Sequence, residues 1–323
     1  MPDASVGISR VAVRLPSRVE AVDDILARNG VGRRDRWMFA KLHGLCESYS
    51  LAEGEKIEDL LVQAGLAALD GQSVRLVIYG HTLLPADPEQ GGAFRERLRA
   101  GLGLPGCEFY GVSHVNCVSV LRSIELGRRY LARPGADPAD QVLVLGGDQG
   151  SFHDLARIVP GVTVAGDGVA AILVQGAGAP RRPRYRYLGG AGARDVRFHR
   201  NLRMPPEEAA AFAASVRRHA VRTVRQAARE AGLKGLDQVD WLMPHLSNRM
   251  LWRGFAADAQ YPGDRICLDL VPQRGHNFGT DALMALDHAE RAGRLGPGDR
   301  CALVAVGQGS YVQSMIVEVE EDS

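Results

Sequence analysis

The chain has 323 residues, 46% of them hydrophobic, with 39 basic and 38 acidic side chains mixed along its length. That is enough apolar material for one large domain or two of ordinary size, and a net charge of +1 without a basic tract or acidic tail points away from nucleic acid. No apolar run approaches the roughly 18 residues of a membrane span, the N-terminus has no signal core, and five scattered cysteines without a CxxC pair argue against disulfides or a structural zinc site and for a reducing cytoplasm.

In chain order, "GISRVAVRL" and "VRLVIYG" (74–80) read as strands, with the helical run "IEDLLVQAGLAALDG" between them stopping at Gly71. "CVSVLRSIELGRRYLA" reads as an amphipathic helix, followed by strands "VLVLGG" (142–147) and "VAAILV" (169–174). A Gly-, Pro- and Arg-rich linker is expected over 175–195, dividing the chain into halves 1–175 and 176–323. A long helix over "PPEEAAAFAASVRRHAVRTVRQAAREAGLKG" comes next, then strands "VDWLMPH" (239–245) and "ICLDLV" (266–271). The helix "TDALMALDHAERAG" and strands "CALVAVG" (301–307) and "SMIVEVE" (314–320) complete the pattern. Continuous apolar strands alternating with helices indicate a layered α/β fold.

Cys117 stands at a helix start, where backbone N–H groups stabilise a thiolate nucleophile; the alternative is an ordinary buried core cysteine. Cys267 and Cys301 lie inside apolar runs and read as core. Among nine histidines, His245 and His276 follow strand ends, where α/β sheets bind ligands; His219 and His288 read as solvated helix positions. Spacing alone does not bring Cys117, His245 and His276 together.

Five stretches in order, "HVNCVSVLRSIELG", "AGDGVAAILV", "MPHLSN", "GHNFGTDALMALDHAERAGRLGPGD" and "ALVAVGQGSYVQSMIVE", resemble the ketoacyl-ACP synthase III family of thiolase-fold condensing enzymes, over essentially the whole chain. The resemblance implies a five-layered αβαβα fold of two duplicated halves and a homodimer. It implies Cys117 as acyl-accepting nucleophile and His245 as catalytic histidine, with Asn248 closing the same turn. Gly307, Gln308 and Gly309 match the loop that donates an N–H to the thioester oxyanion, and Asp167 is expected to be structural. No resident cofactor or metal is implied; coenzyme A or phosphopantetheine thioesters are the substrates, with an acyl carrier protein as partner.

The chain departs from the family pattern in four places. His276 falls at the position of the family's asparagine, with Asn277 the fallback, giving a "GHxxG" turn like that of ketoacyl synthases I and II. Gln308 replaces a glycine. Trp37 matches the adenine-stacking tryptophan, but its arginine partner is absent, Arg157 needing a register shift to serve. The segment around "HTLLPADPE", where the partner protomer reaches the acyl pocket in the family, is shortened.

The expected reaction is acyl loading onto Cys117 and decarboxylative condensation with a malonyl-type thioester, His245 and His276 donating to the enolate, in specialised metabolism. Two alternatives stay open: O- or N-acyl transfer with His245 as general base, and a non-catalytic partner subunit of an active homologue. Arg249 and Arg253 are the expected contacts for an acidic carrier protein; the stripe Arg217, Arg218, Arg222, Arg225 and Arg229 reads mostly as a solvated helix face.

Overall fold

The computed structural model describes residues 6–83, 92–199 and 205–321. The first half runs β1 (Gly7–Ile8), β2 (Ala12–Arg14), β3 (Arg18–Ala21), α1 (Val22–Arg28), α2 (Arg33–Met38), β4 (Glu47–Ser50), α3 (Ile57–Leu69) and β5 (Leu76–Gly80). It continues through α4 (Gly92–Gly101), β6 (Glu108–Val112), α5 (Ser119–Leu131), β7 (Gln141–Asp148), α6 (Asp154–Arg157), β8 (Ile158–Val159), β9 (Thr163–Val164) and β10 (Gly168–Gln175). The second half is β11 (Tyr185–Arg194), α7 (Ala209–Glu230), β12 (Trp241–Met243), α8 (Arg249–Ala259), α9 (Leu270–Arg274), α10 (Asp281–Arg291), β13 (Arg300–Gly307) and β14 (Tyr311–Val319).

Ten strands form one sheet in the order β12-β13-β14-β11-β1-β10-β7-β5-β6, with β2 also paired to β10. Outward from the β1–β11 junction, one side reads β1-β10-β7-β5 and the other β11-β14-β13-β12. Counting only these four strands on each side, both read first, last, third and second in chain order, so the wiring is repeated, with β2 and β6 added to the first side. Of the parallel pairs, β5 with β7 and β12 with β13 occupy corresponding places, and β5 also pairs in parallel with the outer strand β6.

The cores define the layers. Apolar faces of α5 (Val120, Leu121, Ile124) and α10 (Leu283, Leu286) pack together between the two sides of the sheet, against Val144 and Ile172 on one and Leu303 and Met315 on the other. Helix α3 covers the far face of the first side through Leu61 and Ala64. Helices α7 and α8 cover that of the second through Val224, Trp252 and Phe255. The sequence of layers is therefore helix, sheet, helix, sheet, helix. Burial of α10 on almost all its inner turn is why its run reads so apolar despite its terminal charges.

Two expected elements differ. Within 175–195, read as linker, lies the ten-residue strand β11 in the middle of the sheet. Its glycines serve close packing: a Cβ on Gly189 would sit 2.6 Å from the Ala231 nitrogen at the end of α7. The run "ICLDLV" is not a strand. Ile266 makes one isolated bridge to Leu242, and the chain turns into α9, whose first turn accepts Pro272 where a ladder would not.

Candidate active site

Cys117 lies in a 3-10 turn, Asn116–Val118, directly before α5. The turn is strained: Asn116 has φ 54°, a left-handed value uncommon for a residue with a Cβ. Its amide donates to the Gln308 carbonyl at 3.0 Å, tying the thiol turn to the 307–309 loop. That loop can approach only because Gly307 has no side chain; a Cβ there would lie 2.7 Å from the Val115 carbonyl oxygen. Cys117 is buried beside Ala165, Phe278 and Leu83.

The end of β12 delivers His245, whereas His276 comes from the end of the short helix α9 and not from the strand end expected for it. His245 follows β12 and Pro244, and its carbonyl accepts the Trp252 indole N–H at 2.6 Å. His276 follows α9 through Gly275, whose φ of 59° requires glycine, and its carbonyl accepts the Gly166 N–H at 2.7 Å. The rings meet edge to face with centroids 4.4 Å apart. His276 Nε2 lies 3.7 Å from the Cys117 sulfur. One donor atom from each of Cys117, His245 and His276 falls within 4.8 Å of the others, with all three side chains buried. The structure thus assembles the three residues that the sequence placed at separate turns.

A fourth residue, Asp281, organises them. It is buried at the first position of α10. Its Oδ2 accepts His276 Nδ1–H at 2.7 Å and the Leu246 N–H at 2.6 Å, and its Oδ1 accepts the Asn277 N–H at 2.6 Å. His245 Nδ1 stands 3.2 Å from the same Oδ2, without the alignment of a hydrogen bond. Burial alone would depress the His276 pKa, but the Asp281 charge and hydrogen bond, with Cys117 beyond them, outweigh it and hold His276 well above the ordinary imidazole value. Burial, reinforced by neighbouring His276, pushes His245 well below it. The two imidazoles are thus pushed in opposite directions, His276 toward the charged form and His245 toward the neutral one.

The sequence signal for Asp281 was present, a carboxylate in the first turn of a buried helix five residues after His276. Neither Thr280 nor Asn277 caps α10 with its side chain. Asn277 turns away: its amide donates to the Arg274 and Gly275 carbonyls, 3.4 and 3.2 Å, and its oxygen faces Gly168. Asp148, also not singled out, ends β7 in the interior and accepts N–H groups of Thr82 and Leu83 at 2.8 and 2.6 Å. Burial lifts its carboxyl to about 7 against those hydrogen bonds. Asp167 is structural, accepting from Leu51 N–H at 2.8 Å and Ser151 N–H at 2.9 Å.

The remaining candidates lie outside the thiol–imidazole cluster. Asn248 is the N-cap of α8, accepting the Leu251 N–H at 2.9 Å and donating to the Val162 carbonyl at 3.2 Å. Trp37 is 57% exposed on α2. Arg249 lies over Gly44, at the end of the π-helical turn Phe39–His43 that continues α2; Arg253 is exposed. Arg157 cannot serve Trp37: it is 1% exposed and bonded to Glu20, Ser48, Ser50 and the Ala165 carbonyl. In the arginine stripe, Arg217 pairs with Asp258 at 2.6 Å and Arg225 reaches the Ala259 carbonyl, so part of it fastens α7 to α8. Most of the segment expected to border the acyl pocket, 84–91, lies outside the described residues.

Residues 229–319 match the family model for the 3-oxoacyl-[acyl-carrier-protein] synthase III C-terminal region. The chain is 30% identical over 330 residues to β-ketoacyl-[acyl-carrier-protein] synthase III 3 of Streptomyces coelicolor, covering 91% of each. It is 28% identical over 307 residues to β-ketoacyl-[acyl-carrier-protein] synthase III of Rhizorhabdus wittichii, covering 88% of this chain and 90% of that one. Among solved structures, the acyltransferase ChlB3 superposes with a TM-score of 0.82 at 19% identity over 98% of both chains. The 3-oxoacyl-(acyl carrier protein) synthase III FabH of Pseudomonas aeruginosa gives 0.79 at 20% identity over 99% of both.

The fold is thus that of the thiolase-like acyltransferases, two duplicated halves in five layers. Within that class, the chain belongs to the β-ketoacyl-[acyl-carrier-protein] synthase III family. No described helix is long and apolar enough to cross a membrane.

Proposed function

We propose that this enzyme transfers an acyl group from a coenzyme A or carrier-protein thioester, through acyl-Cys117, to a hydroxyl or amine acceptor. The observation that carries this reading is the Asp281 carboxylate on Nδ1 of His276. A carboxylate there keeps the Nδ1 proton in place, so once neutral, His276 offers a lone pair at Nε2 toward the sulfur. Once the Nε2 proton has been passed on, this is the arrangement of a base; only the charged form, with its N–H at Nε2, would suit enolate stabilisation.

In the proposed cycle the Cys117 thiolate attacks the thioester carbonyl, with N–H groups of Cys117 and the Gly307–Gln308–Gly309 loop facing the oxyanion. The carbon–sulfur bond of the donor breaks, and the departing thiolate takes the proton of His276 Nε2. His276, now neutral, accepts the proton of the incoming O–H or N–H as it attacks acyl-Cys117, and the thiolate leaves beside an imidazolium. The general base is thereby moved from His245 to His276, because His245 is held neutral and too weakly basic. His245 orients the acyl carbonyl or acceptor instead.

Decarboxylative condensation is the second reading, favoured by the relatives' names and by neutral His245 beside the sulfur. In either case we place the nucleophile in half 1–175 and the histidines in 176–323. Trp37, Arg249 and Arg253 belong with the donor's nucleotide or carrier-protein face. A cytoplasmic homodimer acting in specialised metabolism is part of the same proposal; β6, with Tyr110 exposed, ends the sheet as an outer strand.

Mass spectrometry tests it. Wild type, but not Cys117→Ala, is expected to gain an acyl adduct from acyl-CoA or acyl-carrier thioesters. The adduct should be discharged by hydroxyl or amine acceptors. Release of CO2 from a malonyl thioester with a ketoacyl product would replace the first reading by the second, and no adduct would overturn both.

A further inference from the structure

We propose that Cys117, His245 and His276 form a binding site for a borderline-soft divalent ion, Zn2+ above all, which caps the nucleophile and reversibly switches the enzyme off. Four features built into the cluster support it, none of which depends on the identity of the acyl acceptor.

The donors are one thiol and two imidazoles, the ligand set that suits zinc and discriminates against magnesium or calcium. Their spacing is near that of a tetrahedral site. With Zn–S about 2.3 Å and Zn–N about 2.05 Å, sulfur and nitrogen on one tetrahedral edge are about 3.6 Å apart. Cys117 Sγ and His276 Nε2 are separated by 3.7 Å. His245 completes the set with all donor atoms within 4.8 Å, so a ring movement of about 1 Å closes the trigonal face. The fourth position is left for water.

Asp281 supplies what a bare cluster lacks. It holds His276 by Nδ1 at 2.7 Å, which leaves Nε2 as the metal-facing atom, the carboxylate–histidine–zinc relation that orients imidazole ligands. It also balances the charge. When the ion enters, any protons on Cys117 Sγ and His276 Nε2 leave to solvent; no electron is moved. Thiolate and Asp281 carboxylate then face two positive charges in an interior where an unbalanced ion would be costly. Binding removes the sulfur lone pair from attack and the Nε2 lone pair from proton transfer together.

The test uses the full-length protein freed of metal by chelation, with zinc chloride competed against a chromophoric zinc indicator and no acyl substrate present. The expected result is one tight equivalent of zinc per chain. Cys117→Ala and His276→Ala should each lose that equivalent, and Asp281→Asn should weaken it roughly 10- to 100-fold. Cys117→Ser, close in volume, guards against misfolding and should also lose it. Cobalt(II) should give an intense thiolate charge-transfer band in wild type that is absent in Cys117→Ser. Acyl-adduct formation should stop at one equivalent of zinc and return with chelator. Zinc bound equally by wild type and Cys117→Ser, or no tight equivalent, would overturn the site. Loss of adduct formation in metal-free protein would count against the acyltransferase reading alone, since zinc affinity is read without substrate.

Discussion

Asp281 accepts the Nδ1 proton of His276 at 2.7 Å, and this one bond decides what His276 presents to the Cys117 sulfur on its other side. A neutral carboxamide in the same place would accept or donate with equal ease and leave the imidazole tautomer open.

Asp281→Asn is therefore expected to slow acylation of Cys117 by roughly 100- to 10,000-fold, the range seen when a carboxylate that fixes a histidine tautomer is neutralised. Time-resolved mass spectrometry of the adduct measures this. A variant that is well folded by circular dichroism and acylates like wild type would show that the carboxylate is only a helix-start acceptor for Leu246 and Asn277.

His276 and Asn277 are adjacent, but their side chains point to different places. His276→Ala should reduce acyl transfer by about 100- to 10,000-fold and also cost stability, because it leaves the buried Asp281 carboxylate without its imidazole partner. Asn277→Ala should keep the acylation rate and lose about 1–3 kcal/mol, because its buried amide serves the Arg274 and Gly275 carbonyls. Transfer rates set against urea midpoints separate the two; the reverse pattern would exchange their roles.

Asp148 gives a pH dependence. Its carboxyl is raised to about 7 by burial, against about 3.9 in the unfolded chain. The unfolded state releases this proton first, so the contribution of Asp148 to stability is full below about pH 4 and declines as pH rises to about 7. Asp148→Asn removes the decline. The stability difference between variant and wild type should shift toward the variant by a few kcal/mol between pH 4 and pH 8. Urea melts at both values check it, and parallel slopes would place the titration elsewhere.

Gly307 permits the loop to touch the thiol turn. In Gly307→Ala the new methyl would meet the Val115 carbonyl oxygen at 2.7 Å, a backbone atom that cannot rotate away. The expected cost is about 1–3 kcal/mol of stability, with acylation slowed by displacement of the oxyanion-facing N–H groups. Unchanged rates would mean that this loop does not serve the oxyanion.

The sequence by itself determined a good deal. The helical periods of α3, α5, α7 and α10 were legible because each presents one apolar stripe to a packed layer, and periodicity is a local property. The reactive candidates Cys117, His245 and His276 were legible for a similar reason, since each sits where an apolar run stops at a turn. Strand β11 was hidden by its own glycines, whose meaning depends on a helix end more than 30 residues later. Only the tertiary structure decided that the three turns converge, that Asn277 faces away, that Arg157 is spent on Glu20, and that Asp281 stands behind His276. Convergence of residues 117, 245 and 276 depends on how two sheet halves close around α5 and α10. Proton placement depends on burial and on distances of a few ångströms between residues from different turns, and neither is written in the order of the residues.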